Sequence, residues 1–304
     1  MLVGLSGGSD SVALTRLLID LTDHGDFTVV GLAHLNHQLR SSADRDESFC
    51  RQFAVRHGLA IAVEAVDAGA YARLHGLSVE DAARRLRYAF FDRVAVDIGA
   101  DRIAVGHTQD DQAETFLLKL MRGAGLTGLG GIYPRRGPVI RPLLDVTDAA
   151  LRAYLTAHGE SWVEDESNDD LDNPRNRVRH RILPEMDLAV GGSCRPAIAR
   201  AARLIRQDGQ WLDEESGERF RALMVETDSG LEMPIGGLLA ASPPIRQRVL
   251  LQAMRAAAGG HEVGLDHVDA VAALLDRTRG GVDVPGCRVE VRGANVVFLR
   301  SGRA

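Results

Sequence analysis

Six residues, Ser6-Gly7-Gly8-Ser9-Asp10-Ser11, follow directly on a short apolar run at 2–5 and directly precede apolar positions three and four apart: Val12, Leu14, Leu17, Leu18 and Leu21. A strand, a glycine–serine turn and an amphipathic helix in immediate succession leave few architectures open. Glycines let the backbone approach a ligand and adopt positive φ. The helix that follows presents unpaired N–H groups and the positive end of its dipole, and the serine hydroxyls add donors. Together these make a phosphate cradle. A turn that merely caps a helix is the plainer alternative, which the flanking strand and helix disfavour. Neither G-x-x-x-x-G-K-S/T nor G-x-G-x-x-G occurs here, so no lysine is supplied to hold a transferred γ-phosphate, which weighs against a kinase or GTPase.

The alternation continues. Apolar runs at 27–35, 59–66 and 102–105 predict three more strands. Phe49, Phe53 and Val55 predict a helical face ending at Gly58. Ser78 with Asp81 forms a capping box for a helix through Leu86, Phe90, Val94 and Ile98, which stops at Gly99. Strands alternating with helices at this spacing predict an α/β fold, a parallel Rossmann-like sheet with helices on both faces, whose ligands sit beyond the carboxyl ends of the strands. After Pro142 the pattern changes. Thr147 caps a short helix to Gly159, an acidic loop follows, and helices are predicted at 197–223, 243–258 and 266–275. Runs at 288–291 and 296–299 predict a terminal β-hairpin. A boundary near Gly191-Gly192 gives a catalytic domain at 1–192 and a small, mainly helical domain at 193–304.

Composition enters as exclusion. A chain of 304 residues with 45% hydrophobic and 26% charged positions has enough apolar content for about two globular domains. No stretch approaches the ~18 apolar residues of a membrane span, and residues 1–20 lack the apolar core of a signal peptide; a cytoplasmic location with no membrane partner is expected. Cys50, Cys194 and Cys287 are odd in number and far apart, which argues against disulfides and against zinc or iron–sulfur sites. The formal net charge of −6 conceals an uneven distribution. Residues 160–172 carry seven acids and no base, whereas 173–206 carry eight arginines against two acids, a stripe able to meet phosphates.

Four further motifs lie where ligands belong. His34-Leu35-Asn36-His37-Gln38-Leu39-Arg40 ends the second predicted strand. Glu80, Ala83, Arg84, Arg87 and Tyr88 share a helix. Gly106-His107-Thr108-Gln109-Asp110-Asp111-Gln112-Ala113-Glu114-Thr115 ends the fourth strand and opens a helix. Asn173-Pro174-Arg175-Asn176-Arg177-Val178-Arg179-His180-Arg181-Ile182-Leu183-Pro184 lies in the basic stripe. Each has a plain explanation: polar strand ends, acids favoured by a helix dipole, ion pairs within a helix, a solvated charged face. Spacings of three and four nevertheless bring Glu114 to one face with Asp110 and Asp111, a crowd of like charges that gains from a cation.

The loop at 6–11 resembles the pyrophosphate-binding loop of the N-type ATP pyrophosphatase superfamily, whose members cleave ATP between the α and β phosphates and activate a substrate oxygen as an adenylate. With the other motifs, the chain is similar to the tRNA(Ile)-lysidine synthetase family, strongly over residues 1–185 and in outline beyond. The chain begins almost on its first strand and shows one small C-terminal domain, where relatives carry a few more residues at the start and many bacterial ones a further domain. The resemblance implies a fold like that of the adenine nucleotide alpha hydrolases. It implies a ligase that joins free L-lysine to carbon 2 of the wobble cytidine of tRNA(Ile) with a CAU anticodon, through an adenylated tRNA, giving lysidine, AMP and pyrophosphate. It further implies ATP bound by Ser6, Gly7, Gly8, Ser9, Asp10, Ser11 and His34, with Mg²⁺ on Asp10. Asp10, Asp111 and Glu114 are the expected catalytic residues; Asp111, Glu114, Arg84 and Arg87 would hold the substrate lysine, with Arg84 and Arg87 as equal candidates for its carboxylate. Arg175, Arg177, Arg179 and Arg181 are expected to bind tRNA, with Arg135 and Arg136 as weaker candidates. Reaching the free amine of lysine at pH 7 costs about 4.6 kcal/mol unless the site supplies a base or lowers the pKa. Two other readings compete. A tRNA thiolase would want paired cysteines; an ATP-binding sensor would need neither the arginine stripe nor the acidic helix start.

Overall fold

Leu2, Val3 and Gly4 have no room for solvent on either side, and their burial alternates between two cores. Leu2 packs with Phe90, Phe91 and Val94, while Val3 packs with Val12, Leu14, Phe53 and Leu151. A strand covered on both faces belongs to the middle of a parallel sheet. The computed structural model, which describes residues 1–39, 42–164, 170–228, 230–277 and 279–300, places it there. The elements in order are β1 (Leu2–Gly4), α1 (Ser9–Leu21), β2 (Gly31–Asn36), α2 (Ala43–Arg56), β3 (Ile61–Ala65), α3 (Ala68–His75), α4 (Val79–Asp97), β4 (Ile103–Ala104), α5 (Gln109–Met121), α6 (Leu126–Leu129), β5 (Arg135–Arg136), β6 (Val139–Ile140) and α7 (Asp148–Ala157). They form a six-stranded sheet of order β3-β2-β1-β4-β6-β5, parallel except for the β5–β6 hairpin at one edge. The chain steps from β1 outward through β2 and β3, then returns to lay β4 on the other side of β1. The loops after β1 and β4 therefore diverge, and a crevice opens at the strand ends.

The predicted strands and helices stand, with shorter strands than the apolar runs suggest. The run at 27–35 becomes strand only from Gly31, and Val29 is buried without joining the ladder. Val55 points to solvent at 80% exposure; the buried face of α2 is Asp46, Cys50, Phe53 and Ala54, so Val55 is off the helical register. The alanine-rich α3 and the two-residue strands β5 and β6 add to the predicted elements. Next come α8 (Pro174–Arg177), a π-helical turn at Val178–Ile182 and α9 (Leu183–Val190), closed by Gly191 in a left-handed C-cap, and then α10 (Arg195–Leu223). Val178, Leu183, Cys194 and Ile198 pack on Ala113 and Leu117 of α5, fixing this segment to the first unit.

The chain divides into two compact units, Met1–Ile205 and Arg206–Ala304, the division falling within α10. The second unit holds β7 (Val225–Thr227), β8 (Gly230–Pro234), α11 (Ile235–Leu239), α12 (Pro243–Ala257), α13 (Leu265–Ala272), β9 (Gly280–Val284), β10 (Cys287–Arg292) and β11 (Asn295–Arg300). The predicted terminal hairpin is β10–β11, and it lies inside a five-stranded antiparallel sheet of order β7-β8-β11-β10-β9. One face of that sheet buries Met233, Val289 and Phe298 against Val249, Met254 and Val268 of its helices. All three cysteines are free and buried. Among the described residues no helix is long and apolar enough to cross a membrane.

Candidate active site

The loops after β1, β2 and β4 converge with α4 around a cavity of about 600 Å³. Ser11 organises the first loop. Its Oγ accepts from Ser6 N at 3.1 Å and Gly7 N at 3.2 Å and donates to Gly8 O at 3.0 Å. Gly7 holds φ at 94°, a conformation in which a side chain would be strained. Gly8 takes the N-cap of α1 with no side-chain cap, so the first-turn N–H groups stay open to an anion. A Cβ on Gly106 would lie 3.0 Å from the carbonyl carbon and oxygen of Asp10, so any side chain there would push the loop after β4 and the phosphate loop apart by a few tenths of an ångström. Of the six loop residues, Ser6, Gly8, Asp10 and Ser11 face the cavity.

Burial and the neighbouring Asp111 charge push the Asp10 carboxyl up to about 6. Asp148, from the first turn of α7, is pushed up to about 7 by burial and then by Asp10. Its backbone N donates to Asp110 Oδ2 at 2.9 Å, and Asp110 in turn receives Arg195 at 2.8 Å. A carboxylate that gains from charge compensation, next to an open helix N-terminus, suits Mg²⁺, which takes one or two carboxylates and fills its remaining sites with phosphate oxygens and water. Among the described residues, no group of three or more His, Cys, Asp or Glu forms an all-protein metal cage.

Three histidines border the cavity. His34 Nδ1 lies 2.9 Å from Leu5 O, which assigns its proton to Nδ1 and leaves Nε2 as an acceptor buried without a partner. His37 and His107 each leave Nδ1 in the same condition. Burial lowers all three, and His37 and His107 fall to about 4; Arg87 then adds to the effect at His37, and Arg141 at His107. All three are neutral at pH 7. Cys50, 3.3 Å from His34 Nδ1, is pushed up to about 12 by burial and is no thiolate.

The two candidate arginines on α4 separate. Arg84 lies over the ring of Tyr88 at 5.0 Å and does not border the cavity. Arg87 does border it. Arg87 is an exposed side chain at the cavity, and desolvation by the surrounding protein lowers its pKa. A guanidinium at a cavity wall favours an anionic ligand.

The arginines at 175–181 divide by helical face. Arg177 and Arg181 are exposed, and Arg177 donates to Asp172 O at 3.2 Å. Arg175 and Arg179 turn inward instead. Arg175 Nε donates to Glu114 Oε2 at 2.6 Å and its Nη2 to Asp111 Oδ1 at 2.7 Å. Arg179 Nε donates to Glu114 Oε1 at 2.5 Å. Burial opposes the charge on both arginines, and the carboxylates of Asp111 and Glu114 more than offset it, so both pKa values rise. Asp111 Oδ2 also accepts from Thr108 N at 3.0 Å, closing a capping box on α5. Sequence reasoning assigns Arg175 and Arg179 to tRNA and Asp111 and Glu114 to lysine; the structure joins the two sets. Asp148, His37, His107 and Arg141 are further residues in or beside the site. Their only sequence signal is position: a helix first turn, motif histidines, and an arginine before Pro142. Arg135 and Arg136 lie exposed on edge strand β5, and Arg40 and residues 165–169 of the acidic run fall outside the described residues.

Comparison with known proteins agrees with this geometry. Residues 1–186 match the PP-loop domain family. The chain is 39% identical over 99% of its length to a tRNA(Ile)-lysidine synthase of Geobacter sulfurreducens, of which it covers 65%. It is 32% identical over 96% of its length to one of Chlorobaculum tepidum, of which it covers 87%. Among solved structures, a U34-tRNA thiolase of Methanococcus maripaludis shares the fold, with a TM-score of 0.55 at 18% identity over 67% of this chain and 71% of that one.

Proposed function

The chain belongs to the PP-loop domain family and within it to the tRNA(Ile)-lysidine synthases, and from that premise we propose that it uses ATP to join free L-lysine to carbon 2 of the wobble cytidine of tRNA(Ile) with a CAU anticodon. The observation that carries this reading is a cavity lined by both an open phosphate loop and the cation Arg87. ATP would lie with its phosphates on the first turn of α1, the amides and hydroxyls of Ser6, Gly8 and Ser11 around them. Mg²⁺, held by Asp10, would neutralise phosphate charge. The neutral His34 offers Nε2 as an acceptor to a donor such as an exocyclic amine.

Lysine would place its carboxylate on Arg87 and its ammonium toward Asp111, which borders the same cavity. Glu114 is sealed and serves the site through its arginines. The neutral His107 beside Asp111 leaves Nδ1 as an acceptor that would orient the ε-amine by a hydrogen bond, its lowered basicity unsuited to taking the proton. The exposed Arg177 and Arg181 would face tRNA phosphates, with the domain predicted at 193–304 contributing further tRNA contacts. The three separated, buried cysteines give sulfur transfer no foothold. The test is mass spectrometry of nucleosides from tRNA(Ile) incubated with the protein, ATP and isotope-labelled lysine. Labelled lysidine is expected, with AMP release that needs both lysine and tRNA; release of ADP, or AMP release without lysine dependence, refutes the reading.

A further inference from the structure

Glu114 is buried, and both of its carboxylate oxygens are occupied by guanidinium donors 61 and 65 residues away in sequence. A carboxylate this deep stays ionised only beside cations, and removing those cations would leave it uncompensated. The four charges cancel as a set, but they are not placed alike. The side chains of Glu114 and Asp111 are 1% and 15% accessible, those of Arg175 and Arg179 29% and 27%. Glu114 forms the back of the cluster, while Asp111 and Arg175 border the same cavity as Ser6, Gly8 and Asp10. Arg179 shares Glu114 with Arg175 and lies behind the cavity lining. The exposed arginines of the stripe, 177 and 181, point away from this cluster, so the stripe has two chemistries on two faces.

We infer that Arg175, positioned by Glu114 with Arg179 beside it, takes up phosphate charge during adenylate formation, and that neither arginine is a contact to the tRNA body. This rests on the ATP chemistry proposed above. In that step the cytidine 2-oxygen bonds to the α-phosphorus, the bond from that phosphorus to the oxygen bridging to the β-phosphate breaks, and its electron pair leaves with pyrophosphate. Negative charge grows on the departing group, and donors already fixed in place stabilise it without reorganising. The planar fork of arginine suits phosphate oxygens; Glu114 holds the Arg175 fork by its Nε and Asp111 holds its Nη2, which leaves Nη1 to turn toward the ligand. Arg175 is thus a catalytic candidate, with Glu114 and Arg179 as positioning residues.

ATP–pyrophosphate exchange with tRNA(Ile) and Mg²⁺ but no lysine isolates this step in the full chain, and tRNA binding across a salt series reads the alternative. Arg175→Ala is expected to lower the exchange rate at saturating tRNA by about 10²–10³-fold, with tRNA affinity and its salt slope at wild-type values. Because truncation leaves Glu114 with one arginine fewer and can unfold the site, Arg175→Lys and the near-isosteric Glu114→Gln accompany it. The Arg175→Lys variant keeps a cation but not the fork, and should recover part of the rate. Glu114→Gln keeps both arginines but loosens them, and should lower the exchange kcat more than it raises the KM for ATP. Exchange at the wild-type rate in these variants, together with weaker tRNA binding and a shallower salt slope, overturns the inference. A wild-type chain that shows no exchange at all overturns instead the ATP chemistry on which it rests.

Discussion

Asp10 joins two demands on one carboxyl. Its pKa of about 6, raised by burial and by Asp111, means that the folded chain holds a proton which the unfolded chain has released at the same pH. Stability of the ligand-free protein therefore declines as pH rises from about 4 through 6, and Asp148, raised to about 7, extends the decline. Asp10→Asn should stabilise the ligand-free chain by up to about 2 kcal/mol at pH 8 and by much less at pH 4. Thermal unfolding at the two pH values checks this, and an equal gain at both would remove Asp10 as the cause. Arg87→Ala is a second residue-scale case. Losing the proposed partner of the lysine carboxylate should raise the KM for lysine by about 10–100-fold, with a smaller change in the KM for ATP; steady-state kinetics in each substrate decides it.

At the scale of elements, the approach of two loops matters more than any one side chain. Gly106→Ala would place a Cβ 3.0 Å from the Asp10 carbonyl, and backbone cannot swing aside as a long side chain can. The loop after β1 must shift by tenths of an ångström, so nucleotide affinity should fall about tenfold or more while the fold persists. Nucleotide titration with circular dichroism as the control tests this. The phosphate loop and the alternation around β1 are legible in sequence because each depends on neighbours within a few residues. The short β5–β6 hairpin and alanine-rich α3 are not, since pairing and packing, not propensity, decide them. Harder still is the union of Asp111 and Glu114 with Arg175 and Arg179. Each pair shows the spacing that shares a helix face, but no local pattern tells that the two faces meet.

For the molecule as a whole, two units with no shared core imply two separable responses. The residues around Met233 and Phe298 all belong to the second unit, and those around Val3 and Leu2 to the first. Phe298→Ala should cost the second unit about 3–5 kcal/mol. Calorimetry should then show an early transition that nucleotide does not move, and a single shifted transition for the entire chain would contradict this independence. The cavity wall draws on chain from Gly4 to Arg175, which bears on how the molecule matures. A nascent chain cannot hold its nucleotide until some 175 residues have emerged and wrapped back on the first strand. From then on, nucleotide at a hundred times its Kd would add about 2.7 kcal/mol to the first unit, so the fuel for the reaction would double as the fastening that completes the fold.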